Sequence, residues 1–128
     1  MTRPRIAATA VVDQRAYIGS QTVVWHLAQV REDAVVGEAC VIGRGAYVDA
    51  GVMIGARVKI QNYALVYAPA TVGDGAFIGP AAVLTNDRYP RAVTDDGALR
   101  GLDDWEPLGV RVGDGASIGA RAVVLAGV

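Results

Sequence analysis

The sequence predicts an all-β solenoid, a parallel β-helix of hexapeptide rungs with 18 residues per coil. Three observations predict it. From Ile6 to Leu84 every sixth residue is Ile, Val or Leu, and the beat resumes at Val112, Ile118 and Val124. Two residues before each beat the side chain is nearly always small, as at Ala10, Ala16, Ala28, Ala34, Cys40, Ala46, Ala64 and Ala70. The residue after the beat is often glycine, as at Gly19, Gly37, Gly43, Gly55, Gly73, Gly79, Gly113 and Gly119. A period of six fits neither a 3.6-residue helix nor the alternation of an ordinary sheet. It marks a repeat whose units bury their apolar position only by stacking on one another.

The solenoid is expected over residues 6–85. Three short strands of six residues each close a triangular coil, and coils stack about 4.8 Å apart. The aliphatic column fills the interior, each side chain contributing about 1.5–3 kcal/mol before entropy. Small residues at the neighbouring position suit a corner where the chain turns inward. The glycines are expected to supply the positive φ of that corner. Cys40, the only cysteine, falls on the small position and reads as a buried small hydrophobe, with no internal disulfide available. The opening Met1–Arg5 faintly resembles a secretion signal, but Asp13 follows at once and Ile6 and Val12 already keep the beat, so it reads as mature structure.

Residues 86–109 break the repeat and read as an extruded loop. They carry Pro90, Pro107, the turn sequence Asp95-Asp96-Gly97, and six of the 13 acidic residues. A structureless stretch longer than about 12–15 residues in a compact domain is usually functional or disordered. Tyr89 and Trp105 favour function, because a purely solvated loop has little use for large aromatics. The expectation is an arm that covers a site on an adjacent subunit. The solenoid resumes over residues 110–128, making one β-helix domain of residues 1–128.

Composition excludes several classes. The net charge is −1, and the basic residues are scattered arginines with Lys59 the only lysine. Neither a nucleic-acid footprint nor a basic membrane-binding surface is expected. No apolar run approaches the roughly 18 residues that span a bilayer, and a cytoplasmic location is expected. The single histidine, His26, cannot build a three-histidine zinc site within one chain, so no metal is expected. The six threonines form no ladder of the kind an ice-binding face needs. Acyl transfer or a non-catalytic solenoid remains.

More specific words stand at fixed places: Val24-Trp-His26, Val58-Lys-Ile-Gln-Asn62, Val66-Tyr67, Asp74-Gly-Ala-Phe-Ile-Gly-Pro80, Thr85-Asn86-Asp-Arg-Tyr-Pro-Arg91 and Gly115-Ala-Ser-Ile-Gly119. In this order they resemble the hexapeptide-repeat acyltransferases, and among them the bacterial nucleotide-sugar 3-N-acetyltransferases that act on UDP-2-acetamido-3-amino-2,3-dideoxy-glucuronate or related dTDP-3-amino sugars. The resemblance runs along nearly the whole chain. It implies a left-handed parallel β-helix, an exception to the usual right-handed crossover. It also implies a homotrimer with active sites between neighbouring prisms, acetyl-CoA as co-substrate, and a nucleotide-linked amino sugar as acceptor.

An 18-residue coil places His26, Arg44, Asn62 and Pro80 in one outward row. His26 and Asn62 are two coils apart, roughly 10 Å by strand spacing, so both could touch one extended ligand. Arg44 between them suits a carboxylate or phosphate. The resemblance makes Asn62 the candidate for positioning the amine or stabilising the tetrahedral oxyanion. Many members carry a histidine base at the third place of the Val-Tyr word; here it is Ala68. His26 is then a substitute candidate for the base. Asn86, Tyr89 and Arg91, at the root of the arm, are candidate substrate contacts. No coenzyme A contact can be assigned, because the coils that bind it in the family lie beyond Val128. The chain thus reads as a fragment of a longer product or as a shortened homologue, and a catalytically inactive solenoid used for binding or assembly is the alternative.

Overall fold

A computed structural model describes residues 2–128; the reading of Met1 lies outside the described residues. Seventeen two-residue strands form three parallel sheets. Sheet I stacks β1 (Arg5–Ile6), β4 (Val23–Val24), β7 (Val41–Ile42), β10 (Lys59–Ile60), β13 (Phe77–Ile78) and β16 (Ser117–Ile118). Sheet II stacks β2 (Val11–Val12), β5 (Gln29–Val30), β8 (Tyr47–Val48), β11 (Leu65–Val66), β14 (Val83–Leu84) and β17 (Val123–Val124). Sheet III stacks β3 (Tyr17–Ile18), β6 (Val35–Val36), β9 (Met53–Ile54), β12 (Thr71–Val72) and β15 (Arg111–Val112). Partners such as Val23↔Val41 and Leu65↔Val83 are one 18-residue coil apart. This is the architecture of the left-handed parallel β-helix.

The second residue of each strand points inward. Val24, Val30, Val36, Ile42, Val48, Ile60, Val66, Ile78 and Leu84 are essentially inaccessible. The small residues two positions earlier, including Ala28, Ala34, Cys40 and Ala64, are equally buried, so they complete the core between aliphatic columns. Burial pushes the Cys40 thiol up, as expected of an inert packing residue. Thr22 occupies the same inner position. Its hydroxyl donates to the Gly37 carbonyl at 2.7 Å and accepts from the Cys40 N–H at 3.0 Å, so the one buried polar side chain among the described residues is satisfied.

The glycines do a different job from the one the sequence suggests. None of those following the beat has positive φ. The left-handed residue comes two places later, at Gln21, Leu27, Asp33, Ala39, Gly45, Gly51, Arg57, Tyr63, Gly75, Ala81, Gly115, Arg121 and Gly127. At most of these positions the turned N–H donates along the prism axis to a carbonyl of the preceding coil, as in Ala39 to Ser20, Arg57 to Glu38, Tyr63 to Arg44 and Ala81 to Asn62. This ladder holds non-glycine residues in a conformation that costs about 1–2 kcal/mol each. Six of the glycines after the beat, Gly19 to Gly79, are needed for space, while Gly113 and Gly119 face open space. A Cβ on Gly37 would fall 2.5 Å from the Gly55 oxygen, and one on Gly79 2.6 Å from the Ala120 nitrogen.

Between β14 and β15 the register changes. Thr71 pairs with Arg111, 40 residues on, so 22 residues beyond one coil are looped out. The arm leaves at the corner between sheets II and III. It carries an antiparallel bridge between Val93 and Leu99 and a short 3-10 turn at Leu102–Asp104. Its neck is closed by the Leu108 N–H, which donates to the Asn86 carbonyl at 2.9 Å.

Candidate functional site

The residues singled out in the sequence fall in three places. His26, Arg44 and Asn62 form an exposed row along the corner between sheets I and II. Asn62 Oδ1 accepts the Arg44 N–H at 2.9 Å, and the Arg44 Nε donates to the Tyr63 hydroxyl at 3.0 Å. Asp74 and Asp114 do the same rung-locking at the next corner, each Oδ1 accepting a backbone N–H one coil below. Asn62 is therefore a ladder residue, and its Nδ2 has no protein partner among the described residues. His26 is anchored through Nδ1, 2.8 Å from the Thr9 hydroxyl oxygen, which also accepts the Leu27 N–H.

Asn86 lies elsewhere, half-buried at the corner between sheets II and III, where its Nδ2 donates to the Ala68 carbonyl at 2.8 Å. Tyr89 and Arg91 sit farther out on the exposed part of the arm, lining a shallow dent with Thr94 and Asp104. Within one chain the row and the arm are on different corners of the prism.

The structure adds a cleft that the sequence row does not include. The arm bends back over its own corner, so that Leu102, Trp105 and Pro107 face Arg31, Glu32, Asp49, Tyr67 and Asn86 across about 480 Å³. That lies within the range of small-molecule sites, about 300–1,000 Å³. Successive coils build its floor: Arg31, Asp49 and Tyr67 form one column, and Glu32, Ala50, Ala68 and Asn86 the next.

A charged network stiffens this floor. Arg31 Nε and Nη2 grip both oxygens of Glu32 at 2.7 and 3.0 Å. Arg31 Nη1 donates to the Tyr47 hydroxyl at 3.0 Å and lies 3.5 Å from Asp49. The Tyr47 hydroxyl donates in turn to Asp49 Oδ1 at 2.9 Å. Burial, then the bond to Asp49, push the Tyr47 phenol up and keep it protonated. Asp49 also accepts the N–H groups of Ala50 and Ala68, both at 2.8 Å, which locks the column to the backbone above. Tyr47 and Tyr67 pack at 5.5 Å between ring centroids.

The Arg31 hydrogen bond holds the Glu32 carboxyl at about 2, below its usual 4.5. A depressed carboxyl stabilises the fold fully above about 4.5 and ceases to do so as pH falls through about 2. The wild-type protein is therefore expected to exceed Glu32→Gln in stability at pH 6 and to lose that margin near pH 2. Chemical denaturation at the two pH values measures it, and a pH-independent margin would mean the pair is not the cause.

One residue ties the arm shut. Arg100, mostly buried, donates to Asp87 Oδ2 at 3.1 Å and to the carbonyls of Tyr89 and Arg91, and stacks on Trp105 at 5.3 Å. It joins the outgoing strand of the arm to the wall of the cleft. Losing a charge-assisted bond of this kind costs about 1–3 kcal/mol. In Arg100→Ala, trypsin cleavage after Arg88 or Arg91 is expected to speed up by about ten-fold or more while the prism resists. An unchanged rate would mean that other contacts hold the arm.

The rungs and the 18-residue register define a hexapeptide-repeat protein. Two hexapeptide-repeat families match parts of the chain. The family described as bacterial transferase hexapeptide (six repeats) matches residues 51–86, and the hexapeptide repeat of succinyl-transferase matches residues 33–68 and 108–128. By sequence, no curated protein matches the chain. Among solved structures it is similar to the acetyltransferase domain of PglB from Neisseria gonorrhoeae, with 24% identity, a TM-score of 0.75, and coverage of 96% of this chain and 49% of that one. UDP-N-acetylglucosamine acyltransferase from Campylobacter jejuni gives 24% identity, a TM-score of 0.74, and coverage of 95% and 46%. Perosamine N-acetyltransferase from Caulobacter crescentus, solved with CoA and GDP-perosamine, gives 23%, 0.52, 98% and 47%. At these identities the likeness establishes the fold, and the chain spans about half the length of these structures.

No helix among the described residues is long and apolar enough to cross a membrane. No group of three or more His, Cys, Asp or Glu among them is placed to hold a metal ion.

Proposed function

We propose that the protein is a cytoplasmic, homotrimeric N-acetyltransferase that moves the acetyl group of acetyl-CoA onto the amino group of a nucleotide-linked 3-amino sugar. The observation that carries this reading is the arm-covered cleft. It joins the aromatic walls of Tyr67 and Trp105, on which a sugar ring can lie, to the amide of Asn86 from the Thr-Asn-x-x-x-Pro-Arg word. The neighbours support it: one PglB domain was solved with acetyl coenzyme A, and the perosamine enzyme with CoA and a nucleotide sugar. The outward face of sheet II, with Val11, Leu65, Val83 and Val123, supports packing against a second copy. In a ring of like subunits each contact joins two different surfaces. The arm-covered corner of one subunit then faces the His26–Arg44–Asn62 row of the next, and the site is shared.

In the proposed reaction the neutral amine attacks the thioester carbonyl, Asn62 Nδ2 donates to the oxyanion, and coenzyme A leaves as the thiol. Ala68 offers no base, so His26 Nε2 is the acceptor within the row. Arg44, Tyr89 and Arg91 are assigned to the nucleotide phosphates and Asn86 to the sugar. Thiol release from acetyl-CoA in the presence of a nucleotide 3-amino sugar tests the proposal. The second reading, a solenoid used for binding or assembly, is favoured by Ala68 and by the engagement of Asn62 Oδ1 in the ladder. Absence of acetyl-CoA binding at millimolar concentration by calorimetry would select it.

A further inference from the structure

The cleft under the arm has a charge pattern that discriminates among amino sugars. It presents one cation, Arg31, and two anions, Glu32 and Asp49. The cation is not free. All three guanidinium nitrogens are engaged, two by Glu32 in a fork and the third by Tyr47 and Asp49. A fork of this geometry is what a ligand carboxylate would need from an arginine, and here the protein's own carboxylate fills it. The remaining walls, Tyr67, Asn86, Leu102, Trp105 and Pro107, add no positive charge.

We propose that this cleft receives an amino sugar that carries no carboxylate on its ring, because Glu32 masks Arg31 and the part of the site lined by this cleft then offers no free cation. The inference rests on the transferase reading and narrows its substrate class. In the cleft a ring carboxylate meets two like charges, Glu32 and Asp49, and no free donor fork. Exclusion by like charge is a common way to reject a near-identical ligand. Glu32 is thereby a specificity-determining residue, acting through the arginine it occupies.

The test uses two nucleotide-linked 3-amino sugars that differ only at C6, one with a methyl or hydroxymethyl group and one with a carboxylate. Binding of each to the purified chain is measured by calorimetry, and acetylation by thiol release. The uncharged ring is expected to be preferred by about 30-fold or more, an effect within the size that a like-charge contact imposes. Glu32→Gln, which frees the Arg31 fork, is expected to narrow the preference to within about five-fold, chiefly through a lower KM for the carboxylate sugar. Equal affinity of the wild-type protein for both sugars, or a preference for the carboxylate, overturns the inference, and that comparison stands even where the variant does not fold. Binding of both sugars without acetylation breaks the transferase reading and leaves the preference measurable. Binding of neither overturns both.

Discussion

Asn62→Asp is expected to keep the fold and lose acetyl transfer by a factor of about 100 or more. Asn62 has two separable duties. Its Oδ1 locks the Arg44 N–H one coil below, a duty that Asp74 and Asp114 discharge as carboxylates at the neighbouring corner. Its Nδ2 is the donor proposed for the oxyanion. Aspartate keeps the first and removes the second, and places a negative charge where negative charge would develop. Removal of one oxyanion donor costs about 10²–10³ in kcat elsewhere. Asn62→Ala removes both and is expected to be inactive and also destabilised by about 1 kcal/mol. Turnover of Asn62→Asp near the wild-type value would take Asn62 out of the mechanism while leaving its place in the ladder untouched.

The second large effect is on stability. Gly37→Ala is expected to cost about 3 kcal/mol, the upper end of over-packing penalties. The added Cβ meets the oxygen and carbon of Gly55 and the nitrogen of Ala56 within 2.5–2.8 Å, all backbone atoms of the next coil. No side chain can swing away to make room. Gly51→Ala is the control: its φ is +70° but nothing lies within 4 Å of the new Cβ. It is expected to cost about 1–2 kcal/mol, the price of a left-handed alanine. Thermal melts compare the two, at about 4 °C per kcal/mol for a domain of this size. Equal shifts would mean that coil-to-coil clearance is not why glycine stands at position 37.

How far these sites were legible depends on what each residue does for the backbone. The beat of aliphatic residues dictates the prism because an inward position every six residues has one way to be buried. The same arithmetic placed His26, Arg44 and Asn62 in one row. It misread the glycines, because composition alone does not tell a residue that needs positive φ from one that needs clearance. The left-handed corner positions are filled by Gln21, Leu27, Arg57 and Tyr63, residues that no local preference would nominate. Their conformation is imposed by the inter-coil hydrogen bond, which is invisible until the coils are stacked.

The cleft was nearly within reach. At the corner between sheets III and I the residue after the beat is glycine at 19, 37, 55, 73 and 113. At the corner between sheets II and III it is never glycine: Asp13, Arg31, Asp49, Tyr67, Thr85 and Leu125. One corner in three thus trades tight stacking for side chains, and that corner carries the arm. Arg100 had no such signal. Its role depends on the arm folding back so that Asp87, the Tyr89 and Arg91 carbonyls and Trp105 converge, and no periodicity describes that path.

The closed neck between Asn86 and Leu108 has one more consequence. Because the chain re-enters the prism beside the point where it left, whatever lies between is a parenthesis in the count of six. Rungs before and after keep their phase regardless of how many residues the parenthesis holds. A one-residue indel inside a rung would turn every later side chain inside out. Here the lid over the cleft can be rewritten in length and sequence while the scaffold that aims Arg31, Asp49 and Tyr67 stays as it is. On the proposed reading, variation in ligand choice has an address on this chain, and it is a single corner.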